Sequence, residues 1–359
     1  MRVLFINNYP MDHAWELWNK KEYPGHHLWG ATHLHKYGID IDILPNEKYV
    51  KLKELGKKMK VLGDLDQQLR ILLMESKYDL IYSGNQYDTI LLSIMRSLGL
   101  FRKPLVAIMH HPIKEPLKSK LLFNLLWGGH DKFICLNNTV KTQLENEFDV
   151  PEENLSLVEW GVDLPFYDGI RENHALGDEP AFIVSAGKTY RDHDTLVQAF
   201  IETDLSLRIY CSEESAPTIP HVYPNIRVQY NHPTQNAISF QEVLVEYKKS
   251  YAIAIPLKDT SNLAGLTSLL DAMAMGKAVI MTRNQQIDID IEKEGIGIFV
   301  EPGDVEGWKQ AISYLLEHPQ ETEEMGNRAR SLCESRYNLD EFSSKLSEIL
   351  KSVIFEKKM

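Results

Sequence analysis

Twelve strand-like runs alternate with segments of helical period along this chain, and that alternation constrains the fold more than any other feature. Strands separated by helices pair most readily in parallel, so the pattern predicts parallel α/β sheets. The first six runs are Arg2–Asn7, Ile39–Leu44, Leu80–Ser83, Leu105–Met109, Lys132–Leu136 and Leu155–Glu159. A stretch from Pro165 to Pro180, rich in Gly, Pro, Asp and Glu, then breaks the periodicity and reads as a hinge. The pattern restarts with Ala181–Ala186, Leu207–Cys211, Ile226–Tyr230, Ala252–Pro256, Ala278–Thr282 and Ile298–Val300. Three helices follow, Val305–His318, Pro319–Glu334 and Leu339–Phe355. The expected domains are 1–164 and 181–338, joined by a linker over 165–180, with 339–359 as a terminal helix. Two such halves imply a cleft between them, with ligands at the carboxyl ends of the strands.

A length of 359 residues suits two domains of ordinary size. No basic stretch leads into an apolar secretory core at the start. No apolar run reaches the ~20 residues of a spanning helix. Cys135, Cys211 and Cys333 lie far apart and read as reduced, packed thiols of a cytoplasmic protein. A net charge of −12 argues against nucleic acid as a partner.

Chemistry concentrates in Lys258–Arg283. A polar loop, Asp259-Thr260-Ser261-Asn262, runs through Leu263, Ala264 and Gly265 into a helix from Thr267 to Met275. Gly265 permits close backbone approach. Free N–H groups at the helix start, near Leu266, Thr267 and Ser268, attract phosphate. Asp271, one turn after Thr267, shares its face and can accept hydroxyl protons. A nucleotide fits this pattern, with its diphosphate at the helix end and its ribose at the carboxylate. An Ala/Met-rich packing helix with one capped turn fits it equally. A second candidate is the loop Gly187–Asp194, where Lys188 and Arg191 offer a point charge and a fork for a diphosphate. Pairing of Arg191 with Asp192 or Asp194 in a solvated loop is the competing account.

Four segments together resemble the retaining, nucleotide-sugar-dependent glycosyltransferases of family 4 (glycosyl transferases group 1). They are the run ending in Trp160-Gly161-Val162-Asp163, SAGKTYRDHDTLVQAF, LLDAMAMGKAVIMT, and GIGIFVEPGDVEGWKQAISYLLEHP. The resemblance implies a GT-B fold, two Rossmann-like α/β/α domains facing a central cleft. It assigns the acceptor to the first domain and the donor to the second, with the terminal helix crossing back to the first. It places diphosphate binding on Lys188 and Arg191, with the two residue types exchanged and the loop shortened. It gives Asp271 the ribose, as the second acidic residue of a Glu-x7-Glu motif. The first position of that motif is Leu263, which can play no acid's part; Asn262 beside it is the nearest polar side chain. A sugar-contacting histidine maps to His110 or His111. The glycine-rich loop of the family maps to Gly25-His26, with His26-His27 where glycines are usual.

His13, His26, His27, His110 and His111 all lie in loops or segments after first-domain strands. Contacts to substrate hydroxyls or a structural role suit them better than zinc, whose spacing is absent. No cofactor and no metal are expected; the donor is a substrate. The basic stretch 48–60 and the segment Lys114–Trp127, with Leu121, Leu122, Leu125 and Leu126 beside Lys118 and Lys120, fit either an interfacial helix on the inner membrane face or a core-facing helix with a solvated basic side. The expected activity is sugar transfer from a nucleotide diphosphate sugar to a hydroxyl of a glycan, lipid or small molecule, with retention. A nucleotide-sugar 2-epimerase and an inactive nucleotide-binding partner subunit are the alternatives.

Overall fold

All twelve runs form strands, and all pair in parallel. The structure, a computed structural model, describes residues 1–46, 48–58, 62–115, 117–173, 180–219, 221–230 and 238–355. The chain divides into two units, Met1–Gly161 with the terminal helix Leu339–Phe355, and Val162–Asn338.

In the first unit the strands are β1 (Arg2–Ile6), β2 (Asp40–Ile43), β3 (Leu80–Ser83), β4 (Leu105–Met109), β5 (Lys132–Cys135) and β6 (Leu155–Leu157), in the order β2-β1-β3-β4-β5-β6. The strands β3 and β4 are buried along their whole length, as their unbroken apolar sequences require of strands covered on both faces. The strand order reverses between β1 and β3, which opens a crevice at their carboxyl ends. Helices Leu65–Met74, Ile90–Ser97 and Lys120–Trp127 pack side by side in one layer. The terminal helix approaches the backbone so closely that a Cβ on Gly30 would lie 2.7 Å from Leu346 Cδ2. Ion pairs Lys345–Glu159 and Lys36–Asp340, both at 2.6 Å, tie it down.

The second unit holds β7 (Phe182–Gly187), β8 (Ser206–Cys211), β9 (Ile226–Tyr230), β10 (Ala252–Ile255), β11 (Val279–Thr282) and β12 (Gly297–Val300), in the order β9-β8-β7-β10-β11-β12. Its reversal falls between β7 and β10. Ile183, Phe200, Leu207, Ile280 and Trp308 belong to one core on this sheet.

One local expectation needs correction. The supposed hinge at 165–180 begins with a helix, Leu164–Asn173, that belongs to the second unit and buries Tyr167 and Ile170. Pro165 sits in its first turn, where a missing N–H costs nothing, and only two buried positions mark its periodicity. Residues 174–179 lie outside the described residues. Between β1 and β2 the chain forms a helix, Met11–Asn19, followed by two 3₁₀ turns, Gly25–Leu28 and Leu34–Tyr37. Trp29 between those turns adopts the left-handed conformation at φ 51°.

Candidate functional site

The switch point of the second unit gathers most of the residues singled out in its sequence. The loops after β7 and β10 are stitched together: Lys258 N donates to Tyr190 O at 3.0 Å, and Asp192 N to Pro256 O at 3.2 Å. Tyr190 takes a left-handed φ of 56° at this seam. Gly187 ends β7 with the Arg191 guanidinium lying against it, where any Cβ would overlap that group. Glycine is therefore required by the close approach.

Arg191 is buried and faces inward. Its Nη1 donates to Thr189 O at 3.1 Å, and its Nη2 to Ser268 Oγ at 2.7 Å and Ala186 O at 3.4 Å. Its Nε has no partner among the described residues. Burial draws its pKa down to about 10, against the opposing pull of Tyr247 and Asp271, so it stays charged at neutral pH. Lys188, by contrast, is exposed at the loop surface. Of the two expected phosphate-binding cations, one is accessible and the other organises the loop from behind.

The helix Leu266–Met275 starts from Gly265, which has φ 88° and gives no side-chain cap. Among the described residues the amides of Leu266, Thr267 and Ser268 find no acceptor, while Leu269 N returns to Gly265 O. These three donors and the helix dipole therefore point a partial positive charge out of the switch point. Ser268 locks the arrangement, donating to Ala186 O at 3.1 Å while accepting from Arg191. Asn262, Leu263, Leu266 and Thr267 are half-buried around this helix start. Asn284, beyond β11, donates to Asn262 O and Ala264 O at 3.1 and 3.0 Å and so fixes the preceding loop.

Asp271 lies one turn deeper and is buried. The Tyr167 hydroxyl donates to its Oδ1 at 2.5 Å. Burial pushes the Asp271 carboxyl up to about 7, while Tyr167 and Arg191 pull the other way. A carboxylate assigned to ribose by resemblance is thus part of an internal Tyr167–Asp271–Arg191 network.

The histidines form a separate group in the first unit. His26 and His27 stand 4.2 Å apart by ring centroid, and His26 packs edge-on to Trp160 at 5.2 Å. Trp29 stacks on Trp160 at 4.9 Å and meets His110 edge-on at 4.7 Å. Gly25 is buried at the start of this turn. His110 Nε2–H donates to Gly84 O at 2.6 Å, which leaves Nδ1 as an acceptor at the carboxyl end of β4. Gln86 Oε1 accepts from the backbone N–H groups of both His110 and His111. Burial lowers the pKa of His27 and His110 to about 4; burial, and then the neighbouring His27, lower that of His26 well below the ordinary imidazole value. His13 stands apart, exposed on its helix. Among the described residues no three His, Cys, Asp or Glu side chains gather as a metal would require.

The side chains of Tyr167, Asn284, Gln86 and Trp29 were not singled out in the sequence. Ser268 was marked for its backbone N–H at the helix start, not for the hydroxyl that bridges Ala186 and Arg191.

Residues 233–332 match the family model described as Glycosyl transferases group 1, a segment that contains β10, the helix start and β11. The second unit carries a glycosyltransferase domain. No curated protein matches the chain in sequence. Among solved structures, HepE of Anabaena in complex with UDP is 14% identical with a TM-score of 0.63, over 98% of this chain and 100% of that one. Sucrose-phosphate synthase of Thermosynechococcus elongatus is 14% identical with a TM-score of 0.69, over 99% and 100%. The α,α-trehalose 6-phosphate synthase of Burkholderia multivorans is 13% identical with a TM-score of 0.68, over 99% of each chain. The likeness at these identities is one of fold, and the fold is GT-B.

Proposed function

We propose that this protein transfers a sugar from a nucleotide diphosphate sugar to a hydroxyl acceptor, with retention of configuration. The observation that carries this reading is the uncapped start of helix Leu266–Met275, with three unpaired amides, at a switch point inside the group 1 segment. The complexes of HepE with UDP and with UDP-glucose make a uridine donor the first to try.

In this scheme the donor diphosphate rests on the amides of Leu266–Ser268, and Lys188 closes on it from the surface. As the glycosidic bond breaks, charge accumulates on the leaving oxygen, where these donors already point. Arg191 holds Ser268 and the β7 loop in place and adds a buried positive charge behind the helix start. The departing phosphate oxygen takes the acceptor proton, so no side-chain base is needed and Leu263 is tolerated. The protein's own donors neutralise the diphosphate, and a metal has no assigned part. The three cysteines, buried and unbridged, suit the reducing cytoplasm.

Calorimetric titration with UDP, GDP, TDP and ADP, on the native protein and on Lys188→Ala, tests the site. One nucleotide should bind, and the variant should bind it about tenfold or more weakly, as expected for loss of a charge-assisted contact. No binding of any of the four by the native protein would refute the donor site, and nucleotide binding without turnover of any donor and acceptor would favour the inactive nucleotide-binding partner subunit. Turnover of donor to its epimer without acceptor would favour the epimerase.

A further inference from the structure

Lys188 is exposed and has no ion pair among the described residues, so the placement of its ammonium rests on the backbone beneath it. That backbone is gripped by the 3₁₀ turn Glu213–Ser215, which follows β8, and by the residue before the turn. Ser212 Oγ donates to Lys188 O at 3.2 Å, and Ser215 Oγ to Gly187 O at 3.3 Å. The turn is closed on itself: Ser212 N donates to Ser215 Oγ at 3.2 Å, and Ser215 N to Ser212 O at 3.1 Å. The start of helix His193–Phe200 in turn holds this segment. His193 Nδ1–H donates to Ser215 O at 2.6 Å, and Asp194 Oδ1 accepts from Thr218 N at 2.6 Å. From Lys188 along the chain to His193, across to Ser215 and back to Lys188, the contacts form a closed ring.

The imidazole is an expensive way to fill its place. His193 is 1% exposed, and its Nε2 is buried with no partner among the described residues. A buried ring nitrogen without a hydrogen bond is destabilising, and a phenylalanine would occupy the same space without that penalty. What the imidazole adds is the bond from its other nitrogen. Burial lowers its pKa to about 4, so at neutral pH it acts as an uncharged donor and not as a cation.

We infer that His193 is a positioning residue for Lys188: through Ser215 it seats the turn after β8 on the carbonyls of Gly187 and Lys188, and so fixes where the Lys188 ammonium meets an anionic ligand. His193 touches no ligand itself. Its effect on binding passes through the loop, so it depends on Lys188 being present. The ligand half of this inference rests on the proposed donor site; the fixing of the loop does not.

Two measurements on the full chain test the two halves. The first uses no nucleotide. Hydrogen exchange read by mass spectrometry should quicken about tenfold or more across Gly187–Arg191 in His193→Phe. It should return towards the native rate in His193→Asn, whose side-chain N–H stands close to the lost Nδ1–H. The second is titration with UDP, GDP, TDP and ADP. His193→Phe should weaken binding about tenfold, as Lys188→Ala does. The double variant should bind no more weakly than either alone, because both changes remove one contact; a merely structural role would make the losses multiply to about a hundredfold. Ser212→Ala/Ser215→Ala should reproduce both effects with His193 in place, so the test survives if His193→Phe does not fold. Native exchange in His193→Phe or in the serine variant, or no recovery in His193→Asn, would overturn the fixing of the loop. Losses that multiply in the double variant would overturn the link to Lys188. Quickened exchange in a protein that binds none of the four nucleotides would support the loop and refute the donor site, and with it the ligand half.

Discussion

Replacement of Tyr167 by Phe tests whether Asp271 belongs to a buried network. The substitution removes one hydroxyl and leaves the ring in place, so packing is nearly unchanged. What is lost is the 2.5 Å hydrogen bond to a carboxyl that burial has pushed up to about 7. Since the folded-state pKa lies above the ordinary 3.8, the native protein holds this proton more tightly than the unfolded chain. Its stabilising effect is complete below about pH 4 and is lost as pH rises through about 7. A separation of about three pH units, at ~1.4 kcal/mol each, makes this on the order of 4 kcal/mol. Below about pH 5.5 Asp271 is neutral, and the Tyr167→Phe variant loses a neutral hydrogen bond worth about 1 kcal/mol. Near pH 8.5 the carboxylate is ionised and the loss rises to about 2–3 kcal/mol, because the bond now serves a buried charge. Urea denaturation of both proteins at the two pH values measures this difference, and pH effects common to both cancel. An equal loss at acid and alkaline pH would show that Asp271 does not titrate against Tyr167, and the network would have to be abandoned.

Backbone geometry gives a second test. Gly265 has φ 88°, and a Cβ there would lie 2.8 Å from Met281 Cε and 3.0 Å from Leu257 Cδ1; Gly265→Ala should cost about 1–3 kcal/mol in thermal melting and weaken nucleotide binding. Gly38→Ala, with φ 72° but no atom within 4 Å of its Cβ, should cost about 1 kcal/mol and leave binding intact. The buried histidines predict acid sensitivity. Burial lowers His27, His110, His130 and His193 to about 4, so the stability they confer is present above pH 6.5 and lost as pH falls towards 4. At pH 5 each should cost about 2 kcal/mol, and ring NMR signals that titrate near 6.5 in the native protein would refute the assignment.

The sheets were legible because each strand needed only a short, nearly unbroken apolar run, and buried parallel strands have few other ways to be written. Leu105–Met109 and Ala252–Ile255 are examples in which sequence and burial coincide residue by residue. The helix start at Gly265 was legible for a similar reason: a glycine before a small-residue helix is a local signal for a local geometry. The direction of a side chain is not local. Lys188 and Arg191 look interchangeable in sequence, yet one is exposed and the other is drawn inward by the carbonyls of Ala186 and Thr189 and by Ser268, 77 residues away. Tyr167 was hidden because its partner lies 104 residues off and because Pro165 and Gly169 make its helix resemble a linker. What the sequence conceals is therefore of one kind. The groups that could touch a ligand lie in short contiguous stretches, whereas those that orient them reach across the sheet from distant elements. If that division holds, Ser268→Ala and Tyr167→Phe should weaken nucleotide binding through misplacement of Arg191, while Lys188→Ala weakens it directly and leaves stability unchanged.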